Sequence, residues 1–361
     1  MPSLSLLIKP ASGSCNLRCS YCFYREEAQL RGTENCGRMT DDVMKTLIRR
    51  AYRYADQGVS FAFQGGEPTL AGAEFFRKFT ETARQYNSAS VPTSYAVQTN
   101  GYDLSDELIR VFAQNRFLAG VSLDGTEALH DRYRGGGSFH RVEENIRRLT
   151  EAGVPVNVLC VVTSDAARQG KQLYRALRKY EYIQFIPCLP PLSGDGPDFS
   201  PSPEEYAAFL TDTFREYMKD LKLGRPVVIR HFDNFFQAAS GGTPEDCAMR
   251  GECGTYYLIE ADGSVYPCDF YALDEYKLGN ICDLPFNRLE KSPILAQFRQ
   301  EGASLPPECV NCEWRFLCRG GCRRDREAEL GLGASRHCEA YRKFFPIAYP
   351  DMVKFLRGLR G

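Results

Sequence analysis

The sequence predicts an α/β protein with a parallel sheet, followed by a smaller cysteine-rich domain. Over the first 235 residues, short apolar runs alternate with amphipathic stretches of helical length, which is a pattern of six β/α units. Strands that alternate with helices of this length need right-handed crossovers, and these place the strands parallel. The chain has 361 residues, more than one hydrophobic core usually serves, so we expect a second, smaller domain.

The strand candidates are short apolar runs at residues 4–8, 59–63, 95–98, 118–123, 156–162 and 183–186. The helix candidates between and after them are residues 41–55, 74–86, 107–115, 142–152, 172–180 and 203–221. Ligands of such folds gather at the carboxyl ends of the strands. The chemically distinctive motifs of this half of the chain all lie at or after predicted strand ends, so we expect them at one rim of the sheet.

Three cysteines follow the first predicted strand in a CxxxCxxC spacing: Cys15, Cys19 and Cys22. Three thiolates can hold three irons of a four-iron cluster and leave the fourth iron without a protein ligand, whereas an electron-transfer cluster normally has four cysteines. The open iron is then available to bind a reactant. Zinc sites also use closely spaced cysteines, but they favour CxxC pairs and four closed ligands.

A glycine turn, Gln64-Gly65-Gly66-Glu67-Pro68, follows the second predicted strand. Glycines let a backbone approach a ligand closely and tolerate positive φ. Together with the cysteine loop, this turn resembles the radical S-adenosylmethionine (SAM) enzymes. The resemblance implies a partial (β/α)6 radical SAM barrel, a [4Fe-4S] cluster at the three cysteines, and SAM chelated to the open iron with its amine against the turn.

A second set of eight cysteines lies in the last third of the chain, and seven of them, from Cys253 onwards, match the SPASM extension of many radical SAM enzymes, with Gly263 as its spacer glycine. The resemblance implies a smaller C-terminal SPASM iron–sulfur domain with two auxiliary [4Fe-4S] clusters. One cluster would be held by Cys247, Cys253, Cys268 and Cys322, and the other by Cys309, Cys312, Cys318 and Cys338. The alternative is a pair of structural four-cysteine zinc sites.

This interpretation divides the chain into a radical SAM barrel domain at 1–235, a SPASM domain at 236–345 and a C-terminal helix at 346–361. Longer stretches, among them Gln98-Thr99-Asn100-Gly101 and the segment around Cys268-Asp269-Phe270-Tyr271, resemble the anaerobic sulfatase-maturating enzymes nearly end to end. That family oxidises a Cys or Ser residue in an unfolded sulfatase segment to Cα-formylglycine, by abstraction of a hydrogen from Cβ with an adenosyl radical.

The family resemblance also implies roles for single residues. It places Tyr21, Gly66, Ser122, Arg134 and Leu189 at the SAM-contacting positions and Asp269 at the position of the proton acceptor. An aspartate suits that role only within hydrogen-bond reach of the substrate side chain. Its alternative is a loop aspartate that caps its own turn.

Composition limits the partners and the compartment. The net charge is −1, from 45 basic and 46 acidic residues, which gives no electrostatic footprint for nucleic acid or an anionic membrane. No stretch is apolar enough for a signal peptide or a membrane span, so a cytoplasmic location is expected. Eleven of the fifteen cysteines lie in the two motifs, which favours clusters over disulfides. The expected partners are a sulfatase polypeptide and an electron donor such as flavodoxin or ferredoxin, and we expect a monomer.

Two other functions stay open at this point. Radical SAM maturases of ribosomal peptides, which form thioethers or epimerise residues, share the SPASM extension. Many of them carry a peptide-recognition domain ahead of the barrel, for which the position of Cys15 leaves no room. A non-catalytic iron–sulfur electron carrier would need neither an open iron nor the glycine turn. Cys-type and Ser-type substrates are equally compatible with the sulfatase interpretation.

Overall fold

The computed structural model describes residues 2–192, 194, 196–328 and 331–358. Residues 359–361 of the predicted C-terminal helix lie outside the described residues, as do residues 1, 193 and 195 of the predicted barrel domain and 329 and 330 of the predicted SPASM domain. The chain forms two compact units. The first comprises Met1–Leu123, Asp131–Asn157 and Gly254–Phe298, and the second comprises Asp124–His130, Val158–Cys253 and Arg299–Gly361.

The described strands are β1 Ser3–Ile8, β2 Gly58–Phe63, β3 Thr93–Thr99, β4 Leu118–Ser122, β5 Val156–Val162, β6 Tyr182–Pro187, β7 Val228–Ile229, β8 Tyr257–Ile259, β9 Ser264–Tyr266, β10 Gly279–Asn280, β11 Glu327–Ala328 and β12 Gly331–Leu332. The described α-helices are α1 Phe23–Gln29, α2 Asp41–Tyr54, α3 Ala73–Tyr86, α4 Asp106–Gln114, α5 Glu127–Arg134, α6 Phe139–Glu151, α7 Ser164–Ala167, α8 Gly170–Leu177, α9 Pro203–Lys222, α10 Arg230–Ala239, α11 Phe286–Leu289, α12 Pro293–Ala303, α13 Pro307–Val310, α14 Arg315–Cys318 and α15 Cys338–Gly358.

All six predicted strands and all six predicted helices are confirmed, with ends that differ by at most a few residues. Local chemistry explains where the helices begin. Helix α9 starts with a capping box, in which the Ser202 side chain accepts from the Glu205 backbone and the Glu205 side chain accepts from the Ser202 backbone, and Pro203 follows at the first helical position. Helix α4 starts at Ser105, whose hydroxyl accepts from the Leu108 backbone.

The first unit contains a sheet with the order β10-β9-β8-β1-β2-β3-β4. Strands β1 to β4 lie side by side in chain order, and each pairs with the next in parallel. Strand β8 pairs in parallel with the other edge of β1, with Leu6 opposite Tyr257. Strands β9 and β10 continue that edge in antiparallel pairs. The sheet packs on helices through buried rings, since Phe63 lies 4.9 Å from Phe79 and 5.0 Å from Phe76 in edge-to-face contacts.

The second unit contains β5 from Val158 onwards, followed in the sheet by β6 and β7, and β6 pairs with β7 in parallel. A separate antiparallel pair is formed by β11 and β12. The core of this unit lies between α9, α10 and α15, where Phe214, Phe232, Phe235, Phe344 and Phe345 are buried. The two compact units are defined by contacts in space, whereas the predicted domains are defined by sequence motifs. The predicted domain boundaries at 235 and 345 therefore stay predictions.

Candidate active site and cluster-binding cysteines

The cysteine loop lies between β1 and α1, at the carboxyl end of the first strand. Cys22 immediately precedes α1, and its backbone amide donates to the Cys19 carbonyl at 3.3 Å. The side-chain amide of Asn100, just after β3, lies 3.7 Å from the Cys15 sulfur and donates to the Asn16 side chain at 2.8 Å. Burial raises the pKa of the Cys15 thiol, and the nearby Glu67 carboxylate and Cys22 sulfur add to the shift.

The glycine turn is built directly against this loop. The Glu67 amide donates to the Ser14 carbonyl at 2.7 Å, and Gly66 has a φ of +38°. A Cβ at Gly66 would lie 2.3 Å from the Ser14 carbonyl oxygen and 2.8 Å from the Gly13 carbonyl carbon, so only glycine fits there. The turn therefore fixes the backbone that leads into Cys15.

Glu67 locks the turn to the neighbouring strand. Its buried carboxylate accepts from the Thr69 hydroxyl at 2.7 Å, the Thr99 hydroxyl at 2.8 Å and the Asn100 amide at 2.7 Å. Burial raises the pKa of Glu67, and these hydrogen bonds oppose that rise. The sequence did not reveal this role of Glu67, although the two motifs that contain Glu67 and its partners Thr99 and Asn100 were recognised.

Four of the five predicted SAM contacts belong to the first unit. The Arg134 guanidinium at the end of α5 lies over the Tyr21 ring, 5.5 Å from its centroid, so the structure brings these two residues together. Gly66 is in the glycine turn, and Ser122 is the buried last residue of β4. Leu189 follows β6 in the second unit. The predicted placement of Gly66, Ser122 and Leu189 at or after strand ends agrees with the structure, whereas Arg134 lies in a helix.

Asp269 is a buried residue that opens a short 3-10 helix directly after Cys268. One carboxylate oxygen, Oδ2, accepts from the Tyr24 hydroxyl at 3.1 Å and lies 3.4 Å from the Gln64 side-chain amide. The other, Oδ1, accepts from the Tyr256 hydroxyl. Desolvation raises the pKa of Tyr24 well above its ordinary value, and the Asp269 charge adds to it, so Tyr24 is a donor here. Sequence reasoning found Asp269 but not the three side chains that hold it.

Four buried ionisable side chains lie close to the Asp269 carboxylate. The Lys9 ammonium is 3.2 Å from Glu260 and 3.7 Å from Glu27, and Arg31 donates to Glu260 at 2.7 Å. Burial raises the pKa of Glu27 to about 7, although Lys9 opposes the rise. Burial also acts to raise the pKa of Glu260, but Lys9 and Arg31 together hold it below its ordinary value. The sequence analysis missed the whole group, because its members are far apart in the chain.

The second unit collects the four cysteines of one predicted auxiliary cluster. Cys309, Cys312, Cys318 and Cys338 line a single cavity, walled by Trp314, Tyr341 and Phe345. Gly320 and Gly321 also line it, and both have positive φ, which lets the backbone turn tightly around it. Burial raises the pKa of Cys318 to about 11, and Cys312 and Cys309 contribute. Four soft sulfur donors around one cavity fit an iron–sulfur cluster.

The other predicted auxiliary set is divided between the units. Burial raises the pKa of Cys322 well above its ordinary value, with further contributions from Asp325, Cys247 and Cys253, so the structure brings these three sulfurs within electrostatic reach. Gly302 makes room for Cys253, because a Cβ there would lie 2.6 Å from the Cys253 sulfur. Cys268 belongs to the first unit, where its sulfur lies 3.3 Å from the Tyr256 hydroxyl. Among the described residues, no three His, Cys, Asp or Glu side chains converge on a point that one metal ion could occupy.

Comparison with known protein families agrees with the two predicted kinds of domain. Residues 10–165 match the radical SAM superfamily, and residues 247–313 match an iron–sulfur cluster-binding domain called SPASM. The fold and the site therefore define a radical SAM enzyme with a SPASM extension, which confirms the predicted fold class. Membership of this superfamily implies a [4Fe-4S] cluster and SAM as cofactors.

Full-length relatives identify the family. A cysteine-type anaerobic sulfatase-maturating enzyme of Clostridium novyi is 41% identical over 96% of this chain and 95% of its own length. A serine-type enzyme of Bacteroides thetaiotaomicron is 31% identical over 97% of this chain and 90% of its own length. The solved structure of native anSMEcpe with bound AdoMet and the Cp18Cys peptide matches with a TM-score of 0.94 at 37% identity, covering 99% of this chain and 100% of that one.

The chain belongs to the anaerobic sulfatase-maturating enzymes, the oxidative radical SAM enzymes that generate formylglycine. This confirms the function predicted from the sequence in preference to a ribosomal-peptide maturase or an electron carrier. Its substrate is accordingly a peptide segment. No helix among the residues that the structure describes is both long enough and apolar enough to cross a membrane.

Proposed function

We propose that the chain binds three [4Fe-4S] clusters and uses them, with SAM, to oxidise a cysteine residue of a sulfatase to formylglycine. Cys15, Cys19 and Cys22 would hold the cluster with the open iron. Cys309, Cys312, Cys318 and Cys338 would hold one closed cluster, which their common cavity supports. Cys247, Cys253, Cys268 and Cys322 would hold the other, which the mutual influence of the Cys322, Cys247 and Cys253 sulfurs supports.

SAM would be held by Tyr21, Gly66, Ser122, Arg134 and Leu189, the positions that the family resemblance implies. When bound, SAM and the open cluster supply the 5′-deoxyadenosyl radical that removes a hydrogen atom from the substrate Cβ. The protein supplies position. Gly66 has no Cβ, which lets its backbone lie directly against the cysteine loop, and the Arg134 guanidinium is held over the Tyr21 ring at 5.5 Å from its centroid.

Asp269 would take the proton that the substrate thiol must lose as its carbon is oxidised. The observation that carries this role is the clamp on its carboxylate, formed by Tyr24 and Gln64 at Oδ2 and by Tyr256 at Oδ1. A general base has to be fixed within hydrogen-bond reach of the proton it removes. A loop aspartate that only caps its own turn would accept from its own backbone, whereas this one accepts from side chains of three separate segments.

A cysteine-type substrate is supported by the relatives. The cysteine-type enzymes of Clostridium novyi and Clostridium perfringens are 41% and 37% identical to this chain, whereas the serine-type enzymes of Bacteroides thetaiotaomicron and Klebsiella aerogenes are 31% and 29% identical. We further propose that a flavodoxin or ferredoxin supplies electrons and that the enzyme acts as a monomer in the cytoplasm, where reducing conditions keep cluster thiols free of disulfides. The three sequence segments, 1–235, 236–345 and 346–361, would be its evolutionary domains.

The test is anaerobic turnover of two sulfatase peptides that differ only in Cys or Ser at the modified position, followed by mass spectrometry. We expect faster conversion of the Cys peptide. Asp269→Asn should lower formylglycine formation by at least ~10²-fold, because it keeps size and hydrogen bonding but loses basicity, while 5′-deoxyadenosine is still made.

Asp274→Asn is the matched control. Asp274 is an exposed aspartate five residues further on, and its carboxylate accepts from the Gly32 backbone amide at 2.8 Å. It should leave both products at wild-type levels. Formylglycine formation by Asp269→Asn at the rate of Asp274→Asn would remove Asp269 from the mechanism.

A further inference from the structure

Tyr256 and Tyr257 are neighbours at the start of β8, and their hydroxyls reach different partners. Tyr257 is buried and donates to the Glu290 side chain. Tyr256 is half-buried and directs its hydroxyl to Asp269 and Cys268. Tyr256 directly precedes β8 and Tyr257 is its first residue, and their different partners offer a natural comparison between a hydroxyl at the site and one away from it.

The contacts of the Tyr256 hydroxyl oxygen include three polar atoms of Cys268 and Asp269. It donates to Asp269 Oδ1, it lies 3.3 Å from the Cys268 sulfur, and the Asp269 backbone amide lies 3.5 Å from it. A phenol has one hydrogen to give, while a carboxylate and a cluster-bound thiolate can only accept. The single Tyr256 hydrogen is therefore shared between the proposed proton acceptor and a proposed cluster ligand.

We propose that Tyr256 is a positioning residue that ties the Asp269 carboxylate to the Cys268 sulfur through one shared hydrogen bond. This inference rests on the proposed function, in which Cys268 ligates an auxiliary cluster and Asp269 accepts the substrate proton. Two consequences follow. Tyr256 holds Oδ1, so that the carboxylate cannot rotate away from the substrate, and its hydrogen bond to the sulfur makes the cluster easier to reduce.

The experiment compares Tyr256→Phe with Tyr257→Phe in the fully reconstituted enzyme, after iron analysis has shown equal cluster content. Two quantities are measured: the formylglycine formed per 5′-deoxyadenosine, and the midpoint potentials of the clusters by potentiometric titration followed by electron paramagnetic resonance. In Tyr256→Phe the product ratio should fall about tenfold, the change expected when one hydrogen bond to a charged group is lost.

In the same variant, one auxiliary cluster should become about tenfold harder to reduce, a shift of about 59 mV to lower potential for a one-electron couple. The other potentials should not move. Tyr257→Phe loses a buried hydroxyl of the same kind and should change neither quantity. A Tyr256→Phe enzyme with wild-type potentials, or a Tyr257→Phe enzyme with the same shift, overturns the proposal.

An isosteric replacement keeps the test valid if Tyr256→Phe fails to assemble. Incorporation of 3-fluorotyrosine at position 256 strengthens the donor without changing the shape of the side chain. Measured at a pH where the phenol stays protonated, it should shift the same auxiliary potential upward, and an unchanged potential contradicts the proposal. Asp269→Asn separates the two hypotheses. If this variant forms as much formylglycine per 5′-deoxyadenosine as the wild type, Asp269 is not the base. If the ratio falls in Asp269→Asn but stays at the wild-type value in Tyr256→Phe, only the role of Tyr256 is refuted.

Discussion

Replacing Gly66 with alanine should slow SAM cleavage strongly, because it displaces the loop that leads into Cys15. The new Cβ would lie 2.3 Å from the Ser14 carbonyl oxygen, 2.8 Å from the Gly13 carbonyl carbon and 2.9 Å from the Ser12 carbonyl oxygen. All three are backbone atoms of the segment that leads into Cys15. No side-chain rotation can relieve the contact, so the loop itself has to move.

The size of that movement follows from the distances. Carbon and oxygen atoms in contact normally stay about 3.3 Å apart, so the Ser14 carbonyl has to retreat by about 1 Å. The retreat also strains the 2.7 Å hydrogen bond from the Glu67 amide to the same carbonyl. A displacement of about 1 Å at a reacting centre costs about 10²-fold in rate. We therefore expect SAM cleavage by Gly66→Ala to fall by about two orders of magnitude.

The matched control is Gly153→Ala, which shares the positive φ but not the obstruction. Gly153 has a φ of +78° and no atom within 4 Å of its would-be Cβ. It should lose about 1 kcal/mol of stability from the left-handed backbone alone and keep its activity. The assay is anaerobic formation of 5′-deoxyadenosine, with iron content and thermal stability measured on both variants. Equal SAM cleavage by the two variants would refute the argument that the glycine turn positions the cysteine loop.

Three other perturbations test separate parts of the site. Replacing the three loop cysteines, Cys15, Cys19 and Cys22, with alanine should abolish 5′-deoxyadenosine formation and lower the iron content from about twelve to about eight per chain. Residual SAM cleavage would contradict the assignment of the open cluster to these cysteines. Cys318→Ala should destabilise the second unit because its cavity loses a proposed cluster ligand, which a lower melting temperature and loss of iron would report. Because burial raises the pKa of Glu27 to about 7 from an ordinary 4.5, the folded chain keeps a proton that the unfolded chain releases between those values. The Glu27 contribution to stability therefore falls by roughly 3 kcal/mol as pH rises through that window. Glu27→Gln should flatten the dependence of the melting temperature on pH between 5 and 8. Parallel plots of melting temperature against pH for the variant and the wild type would exclude this role.

The sequence predicted most of the fold because its signals are local. The six predicted strands and the six predicted helices are all present, because the spacing of apolar residues along the chain indicates which face of an element is buried. Strands β8, β9 and β10 were not predicted, because two or three residues are too few to show a period. Helix α1 was missed for a related reason: its seven residues, FYREEAQ, carry no apolar stripe, and its buried residue is the carboxylate Glu27.

The site divides along the same line. Cysteine ligands are recognisable from their spacing, because closely spaced thiolates serve few other purposes in a reduced protein. The clamp on Asp269 is not recognisable, since Tyr24, Gln64 and Tyr256 come from three distant segments and tyrosine and glutamine are common in ordinary surfaces. Gln64 and Tyr24 do border recognised motifs, and that adjacency was the one available signal. Their convergence depends on the parallel pairing of β1 with both β2 and β8.

The buried charges explain how such distant segments keep their alignment. Lys9 follows β1 and precedes the cysteine loop, Glu27 lies in the helix after that loop, and Glu260 follows β8. Glu27 also accepts from the Ala272 amide at 2.9 Å, just beyond the helical turn that begins at Asp269. Apolar residues in these places would be buried at lower cost, but apolar contacts tolerate sliding. The Glu260 carboxylate instead has two close cationic partners, Lys9 and Arg31, and breaking such a buried pair costs about 3–5 kcal/mol. We infer that the group fixes the register between the segment that carries the three cysteines and the segment that carries Asp269, so that the proposed proton acceptor, 247 residues after Cys22, is held against Tyr24 of helix α1.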